Sequence, residues 1–274
     1  MQHVVYSYKS NVAKKLYNNL LAIQERKIKV KVLGVSGSPI KNSNTDRALK
    51  AVLDATGCET ECVKLMDYTI EPCRACLGCV KTNTCVIKDD GIALTEKAKA
   101  ADALVIAGFT PYSTIDSRTK AFIERLYPLR HTHGFMAGKP GGAVITFAAP
   151  EENDMLPPAG QMGINAVQFY MMEEGMNFVG AVKIQGNVPC VKCVYGDECK
   201  MSGIPMLYGP DATVDSVGIK SFEEQPVAVE AARGNSDTRS LRLWGRLTKP
   251  STATRNSSPL RSAPFLARNG RRYR

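Results

Sequence analysis

Residues 28–45 read IKVKVLGVSGSPIKNSNT, and this stretch decides the fold predicted for the chain. Residues 28–35 are rich in β-branched side chains and end at a Gly/Ser/Pro turn, a pattern typical of a buried strand. Ser43 or Asn44 can then cap a helix that runs to about residue 56, because a side-chain oxygen at that position accepts from a free backbone N–H. A strand, a tight loop and a helix in this order form one unit of a parallel sheet.

The same alternation continues along the chain. Further strands are predicted at 59–65, 103–108, 141–147 and 176–184, and further helices at 91–101, 116–127 and 161–174. Repeated strand–helix units predict an α/β fold with a doubly wound, five-stranded parallel sheet, because right-handed crossovers place helices on both faces. Ligands of such sheets bind beyond the carboxyl ends of the strands. The expected binding loops therefore follow Val35, Leu65, Gly108 and Phe147.

The loop after the first strand carries several hydroxyl groups and opens directly into a helix. Its hydroxyl donors are Ser36, Ser38, Ser43 and Thr45. The free N–H groups and the positive dipole end of a helix N-terminus favour an anion. The loop has few fixed charges and no GxGxxG or Walker sequence, so it fits a phosphate monoester such as that of FMN. A plain capped turn is the alternative.

The loop after the third predicted strand reads TPYSTI at residues 110–115. Thr110, Pro111, Tyr112 and Ser113 combine small polar groups with an aromatic ring on a backbone that proline restricts. Such a loop can flank a flat ring system, which would complete an FMN site. The alternative is an ordinary surface loop with an exposed tyrosine.

Four cysteines lie within 13 residues, in the spacing Cys73-x2-Cys76-x2-Cys79-x5-Cys85. Short gaps allow one loop to surround an ion or a cluster, and thiolates are the soft ligands that iron–sulfur clusters use. The two consecutive x2 gaps resemble those of bacterial ferredoxins, which favours a [4Fe–4S] cluster. Structural zinc, usually held by two separated pairs, and free or disulfide-forming thiols are the alternatives.

A second set of three cysteines repeats part of this spacing, at Cys190, Cys193 and Cys199. It predicts either a partial second metal site or thiols that serve packing or redox pairing. A fourth metal ligand would have to come from Cys58, from Cys62, from an acid such as Asp197, or from solvent.

The formal net charge of +10 is confined to the end of the chain. Residues 233–274 contain ten Arg and one Lys against one acid, Asp237, so the preceding residues are neutral overall. This segment has too few apolar residues to offset its ordering entropy. We expect a disordered basic tail, or out-of-frame translation, with at most weak nucleic-acid binding. Before it, residues 188–232 form a C-terminal cysteine-containing segment whose end, VAVEAA at 227–232, predicts an interrupted helix.

The remaining divisions follow from composition. Residues 1–27 form an N-terminal extension, residues 28–187 the FMN-binding α/β domain, and residues 66–90 its long cysteine-bearing loop. No run approaches the roughly 20 apolar residues that span a membrane, and the N-terminus lacks the apolar region of a secretory signal. We therefore expect a soluble cytoplasmic protein without a membrane partner, whose cysteines are thiols or metal ligands.

Three stretches resemble iron–sulfur flavoproteins of the NADPH-dependent FMN reductase superfamily: VLGVSGSPIKNSNT at 32–45, EPCRACLGCVKTNTCVIKDDG at 71–91 and FTPYSTIDSRTKAFIERL at 109–126. The resemblance covers about residues 28–184. It implies a flavodoxin-like fold with one FMN and one [4Fe–4S] cluster per subunit, in a homodimer or homotetramer where one subunit's cluster lies near a neighbour's flavin. It also implies a ferredoxin-type electron donor and a small oxidant, such as oxygen or peroxide, as acceptor.

The resemblance also assigns site residues. It assigns the phosphate loop to Ser38, Pro39, Asn42, Ser43, Asn44 and Thr45. It assigns the flavin loop to Pro111 and Tyr112, and the cluster ligands to Cys73, Cys76, Cys79 and Cys85. Two departures from the family pattern are present. Ile40 replaces the usual arginine after the proline, with Lys41 beside it, and residues 147–150 stand where a Gly-rich flavin turn is usual.

These features predict a redox protein that passes electrons between the cluster, FMN and an external partner. An NAD(P)H-dependent FMN or quinone reductase without a cluster is the alternative enzyme. A metal-stabilised binding module with a polyanion-binding tail is the alternative outside enzymes. No side chain is singled out as a catalytic acid or base, and His131 and His133, which follow a predicted helix end, are predicted to lie at the surface.

Overall fold

The computed structural model describes residues 30–151, 156–225 and 227–231. Its strands are β1 (Lys31–Ser36), β2 (Glu59–Lys64), β3 (Ala103–Phe109), β4 (Pro140–Phe147), β5 (Asn177–Gln185) and β6 (Val227–Ala231). They form one sheet in the order β2-β1-β3-β4-β5-β6. β1 to β5 are parallel, which confirms the doubly wound α/β architecture. The order β2-β1-β3 places a switch in strand order between β1 and β3, where ligands of such folds bind.

The sheet has six described strands, so the prediction of five is wrong by one. The sequence pattern predicts an interrupted helix at 227–232, but Val227–Ala231 form β6, antiparallel to β5. The register pairs Val182 with Val229 and Ile184 with Val227. Without β6, the edge of β5 would leave backbone N–H and C=O groups without partners. Residues 227–231 pair with these groups when they form a strand, whereas a single helical turn would leave them unpaired.

Helices cover both faces of the sheet. They are α1 (Asn44–Thr56), α2 (Gly91–Ala100), α3 (Ser117–Arg125), α4 (Ala159–Glu173), α5 (Gly203–Tyr208) and α6 (Val214–Val217). Leu49 and Leu53 of α1 belong to a core that includes Val105 of β3. α2, α3 and α4 build the opposite core, where Phe122 and Ile106 are buried. The neighbours Val105 and Ile106 serve different cores because successive side chains of a strand point to opposite faces.

The predicted helix start after the first strand is confirmed. Ser43 caps α1: its hydroxyl accepts from the Asp46 backbone N–H at 3.1 Å, and the Asp46 carboxylate accepts from the Ser43 N–H at 3.0 Å. α1 ends at Thr56, and the residue that caps it, Gly57, has a φ of 64°, which favours glycine. The Ser43 cap fixes the start of α1, so the loop of residues 37–42 lies at the carboxyl end of β1.

Gly37, in this loop, has no room for a side chain. A Cβ there would lie 1.9 Å from Thr119 Oγ1 and 2.7 Å from an oxygen of Asp116, the N-cap of α3. We expect Gly37→Ala to lower the free energy of unfolding by about 1–3 kcal/mol, because the start of α3 has to move. Urea denaturation of the ligand-free protein measures the loss. The control is Gly186→Ala, whose Cβ would approach the described residues no closer than 3.7 Å, and equal stability of both variants would contradict the prediction.

Two predicted segments fall outside the described residues, namely the N-terminal extension 1–27 and the basic tail 233–274. The domain divisions placed at 187/188 and 232/233 stay predictions. Among the helices of the described ranges, none combines the length and the apolar character needed to cross a bilayer.

Candidate functional site

A cavity of about 690 Å³ opens where β1, β3, β4 and β5 end. Its size suits a nucleotide-sized ligand, since small-molecule sites run from about 300 to 1,000 Å³. The loops after β1 and β3 form two of its walls. The predicted binding residues that line it are Ser38, Pro39, Asn42, Ser43, Asn44, Thr45, Thr110 and Pro111.

Three of the predicted binding residues lie outside this lining. The Ser36 hydroxyl donates to Asp46 Oδ1 at 2.6 Å. Tyr112 and Ser113 have left-handed φ values of 51° and 61°, and the fully exposed Tyr112 lines a separate groove. The aromatic side chains that line the cavity itself are Phe109, Phe147 and Phe222.

Thr110 carries a polar atom that the protein leaves without a partner. Its buried Oγ1 has no hydrogen-bond partner among the described residues, although Thr110 lines the cavity. By contrast, Thr45 Oγ1 and Thr146 Oγ1, which belong to the same lining, lie 2.7 Å apart and satisfy each other. Because a buried hydroxyl seldom stays unpaired, Thr110 Oγ1 marks a place where a bound ligand can supply the missing partner.

Positive charge reaches the cavity from residues that the sequence pattern did not single out. The residue after Pro39 is Ile40, which lines the cavity without a charge, and Lys41 is not part of the lining. Arg47 in α1, Lys192 after β5 and Lys220 do line it, and all three are exposed. These three cations can attract a phosphate group.

Asp46 organises the loop beneath the cavity. Lys64 Nζ lies 2.6 Å from Asp46 Oδ2. Burial pushes the pKa of Asp46 upward, but hydrogen bonds from Lys64, Ser36 and Ser43 outweigh it and hold the pKa below its ordinary value. The carboxylate is therefore ionised and paired at neutral pH, so it opposes an anion in the cavity less than a free carboxylate would.

The chain beyond β5 supplies a third wall of the cavity. Asn187, Val188 and Lys192 from one stretch and residues 219–222 from another line the cavity. Asn187 joins the two stretches, because its Nδ2 donates to Lys220 O at 2.8 Å and its Oδ1 accepts from the Lys220 N–H at 2.9 Å. No local pattern announces this role, which depends on how the chain returns to the sheet.

A second, small cavity of about 20 Å³ lies inside the loop between β2 and α2. Ala75 and Leu77 have left-handed φ values of 50° and 55°, which tighten the loop between successive cysteines. The Ala75 N–H lies 3.4 Å from Cys73 Sγ. The four thiols of the predicted cluster site all line this one cavity: Cys73, Cys76, Cys79 and Cys85.

Cys79 is the buried member of this set. Burial raises the pKa of its thiol, and the neighbouring Cys85 and two further cysteines of the loop add to the rise, as expected where several thiols share one space. His131 Nε2 lies 3.3 Å from Cys79 Sγ, so the half-buried His131 is not the free surface residue that was predicted. Within the described ranges, no three Cys, His, Asp or Glu side chains converge as ligands of a single metal ion.

A buried arginine closes the base of the cysteine loop. Arg125 of α3 is 1% exposed and donates to the two carboxylate oxygens of Asp89 at 2.6 and 2.7 Å. It also donates to Glu71 O at 2.9 Å. Glu71 precedes the first cysteine and Asp89 follows the last, so one guanidinium holds both ends of the loop. Burial acts to raise the pKa of Asp89, but the hydrogen bonds from Arg125 and from backbone N–H groups outweigh it and lower the pKa.

A groove of about 980 Å³ runs from the cysteine loop to the loop after β3. Its lining includes Cys73 and Leu77 of the cysteine loop and Pro111, which also lines the 690 Å³ cavity. Tyr170 of α4 lines the groove, and its buried hydroxyl has no partner among the described residues. The groove therefore shares lining residues with both cavities and lies next to each of them.

Comparisons with known proteins agree with this geometry. Residues 30–155 match the family model described as NADPH-dependent FMN reductase. An iron–sulfur flavoprotein of Methanosarcina thermophila is 32% identical over 118 residues, which are 42% of this chain and 62% of that one. An iron–sulfur flavoprotein of Archaeoglobus fulgidus is 32% identical over 129 residues, 45% of this chain and 58% of that one. The chain thus spans about three fifths of the length of these curated relatives.

Among solved structures, RosB with a bound intermediate derived from riboflavin 5′-phosphate is similar at a TM-score of 0.46 and 17% identity. The similarity covers 58% of this chain and 66% of that chain.

Proposed function

We propose that the chain is an FMN-dependent oxidoreductase that also holds a [4Fe–4S] cluster, because residues 30–155 match the family model described as NADPH-dependent FMN reductase. The relatives named iron–sulfur flavoprotein support both cofactors. FMN supplies two-electron chemistry that can be divided into single electrons, and the cluster supplies single-electron transfer. The protein contributes binding, distance and access.

The observation that carries the FMN assignment is the cavity at the strand ends. Eight residues from two separate loops line one space of suitable size, and the buried Oγ1 of one of them, Thr110, has no hydrogen-bond partner among the described residues. We assign the phosphate to the side of Ser38, Asn42 and Ser43, where the start of α1 offers backbone N–H groups and Arg47 offers charge. We assign the flavin ring to the side of Thr110 and Pro111.

The cluster assignment rests on the loop. Four thiols line one cavity, which is the arrangement that a metal centre bound by thiolates requires. Arg125 binds both ends of the loop, Asp89 through a buried ion pair and Glu71 O through a hydrogen bond, so the ends cannot separate without breaking these contacts. The Cys79 thiol also has a polar neighbour, His131, which can hydrogen-bond to a bound sulfur and tune its potential.

The groove between the two cavities supports electron exchange between them and with a partner. Leu77, Tyr112 and Phe169, which line it, expose large apolar surfaces. Such a surface fits a homodimer or homotetramer contact. We propose a ferredoxin-type protein or NAD(P)H as electron donor and a small oxidant as acceptor.

Anaerobic purification of the full chain, with FMN, iron and acid-labile sulfide counted per chain, tests the proposal. We expect about one FMN and four iron with four sulfide, and a broad absorption near the flavin bands that dithionite bleaches. FMN without iron would instead support a cluster-free NAD(P)H-dependent FMN or quinone reductase. A colourless protein that neither cofactor restores would refute the proposal.

Thr110→Val separates ligand binding from folding. Valine has nearly the same shape as threonine but no hydroxyl, so the ligand-free protein should be as stable as before or slightly more stable. FMN should bind about 3- to 10-fold more weakly, because one hydrogen bond of about 0.5–1.5 kcal/mol is lost. Fluorescence titration with FMN and urea denaturation measure the two effects. Thr114→Val, at an exposed residue outside the cavity, is the control. Unchanged FMN affinity in Thr110→Val would remove this residue from the site.

A further inference from the structure

We propose that Cys190, Cys193 and Cys199 bind a second thiolate-held metal centre, which fixes the third wall of the FMN cavity. The set has the same gaps, x2 and then x5, as the last three cysteines of the first loop. The metal site stands independently of the proposed function, whereas its effect on FMN rests on it.

Two of the three sulfurs already lie at one turn of the backbone. Cys190 Sγ accepts from the Gly203 N–H at 3.2 Å, and Cys199 Sγ accepts from the Met201 N–H at 3.4 Å. Since these N–H groups are two residues apart, both sulfurs lie against the turn that follows Cys199.

The third thiol is tied to the first by a tight turn. The Cys193 N–H donates to Cys190 O at 3.1 Å, as the x2 gap allows. The three thiols do not converge on one point in the described residues, but Cys193 and Cys199 are exposed, so their side chains are free to rotate towards Cys190 when a metal binds. A fourth coordination position is left to solvent or to Asp197, whose Oδ1 accepts from the Val214 N–H at 2.7 Å. Cys58 and Cys62 lie just before and within β2, whereas Cys190 follows β5 near the opposite edge of the sheet.

The segment that carries these cysteines has little core of its own. Its cluster has three buried side chains, Val188, Val191 and Ile204, and its helices α5 and α6 have six and four residues. A segment with so few buried side chains gains stability when a metal ties its backbone together. A metal bound by three thiolates would supply that stabilisation.

The same segment builds the cavity wall. Val188 and Lys192 flank Cys190 in the chain and line the FMN cavity, and Asn187 carries the bonds to Lys220. A metal bound at Cys190 and Cys193 would therefore fix residues that line the cavity proposed for FMN. Loss of the metal should loosen this wall and speed the release of FMN.

The test compares four full-length proteins purified without oxygen from medium that contains iron and zinc: the parent, Cys193→Ser, Cys76→Ser and the control Cys62→Ser, an exposed thiol of neither set. Iron, zinc and sulfide are counted per chain, and FMN release is followed by fluorescence. We expect Cys193→Ser to lose one metal centre that Cys76→Ser keeps, and to release FMN several-fold faster. Loss of zinc alone identifies a single ion, and loss of iron together with sulfide identifies a second cluster.

Equal metal content in the parent and Cys193→Ser would overturn the inference, as would a Cys76→Ser protein that contains no metal. Circular dichroism of Cys193→Ser shows whether the fold survives. If the first loop holds no iron but Cys193→Ser still loses a metal, the proposed cluster fails and this inference stands. If the first loop holds its cluster and Cys193→Ser loses nothing, only this inference fails.

Discussion

Arg125→Met should lower the free energy of unfolding by about 3–5 kcal/mol, because it leaves the Asp89 carboxylate buried without its cation. Asp89 is 7% exposed, and the two side chains share two hydrogen bonds of 2.6 and 2.7 Å. The substitution also removes the bond to Glu71 O, so the two ends of the cysteine loop lose their common anchor. We therefore expect iron content to fall together with stability. Urea denaturation of the metal-free protein isolates the effect on folding.

Arg118→Met is the matched control, since Arg118 lies on the same helix and is exposed. A surface substitution of this kind should change stability by no more than about 0.5 kcal/mol. A loss below about 1 kcal/mol in Arg125→Met would mean that the buried ion pair does not anchor the loop.

The same ion pair predicts a pH dependence. The pKa of Asp89 is lower in the folded protein than in the unfolded chain, where it is near 3.9. Its stabilisation is therefore fully present above that unfolded value and is lost as pH falls through the lower, folded pKa. Unfolding curves of the metal-free protein between pH 6 and pH 3 should show a decline near and below about pH 4. In Arg125→Met this decline should be smaller, and an identical decline would assign it to other carboxylates.

Cys76→Ser should reduce the iron and sulfide of the loop to near zero while FMN stays bound. Serine cannot replace a thiolate as a soft ligand, and Cys76 lines the small cavity but not the FMN cavity. Iron, sulfide and FMN counts, with the absorption spectrum before and after dithionite, measure the outcome. Cys62→Ser, on β2, should match the parent in all three. Iron retained at the parental level would show that Cys76 is not a ligand, and loss of FMN would show that the two sites are not independent.

Local pattern was sufficient for most of the fold. The strand at β1, the Ser43 cap, the helix that ends near Thr56 and the presence of five parallel strands follow from side-chain period and capping chemistry. The hydroxyl loop after β1 and the four-cysteine spacing could be selected for the same reason, since their members lie close together in the chain. The sixth strand was mistaken for a helix because its five residues are too few for period alone to decide, and the open edge of β5 decided it.

Tertiary structure decided the remainder. The sequence by itself determined which loops could hold a phosphate, a ring system and a metal cluster. Only the fold brought Arg125 to Asp89, His131 to Cys79, and residues 187–192 and 219–222 to the cavity wall. The two members of each pair stand 36 or more residues apart in the sequence. The cavity wall likewise combines residues 38–47 with residues 219–222. Such contacts depend on strand order and crossover direction, which set distances that no short window of sequence contains.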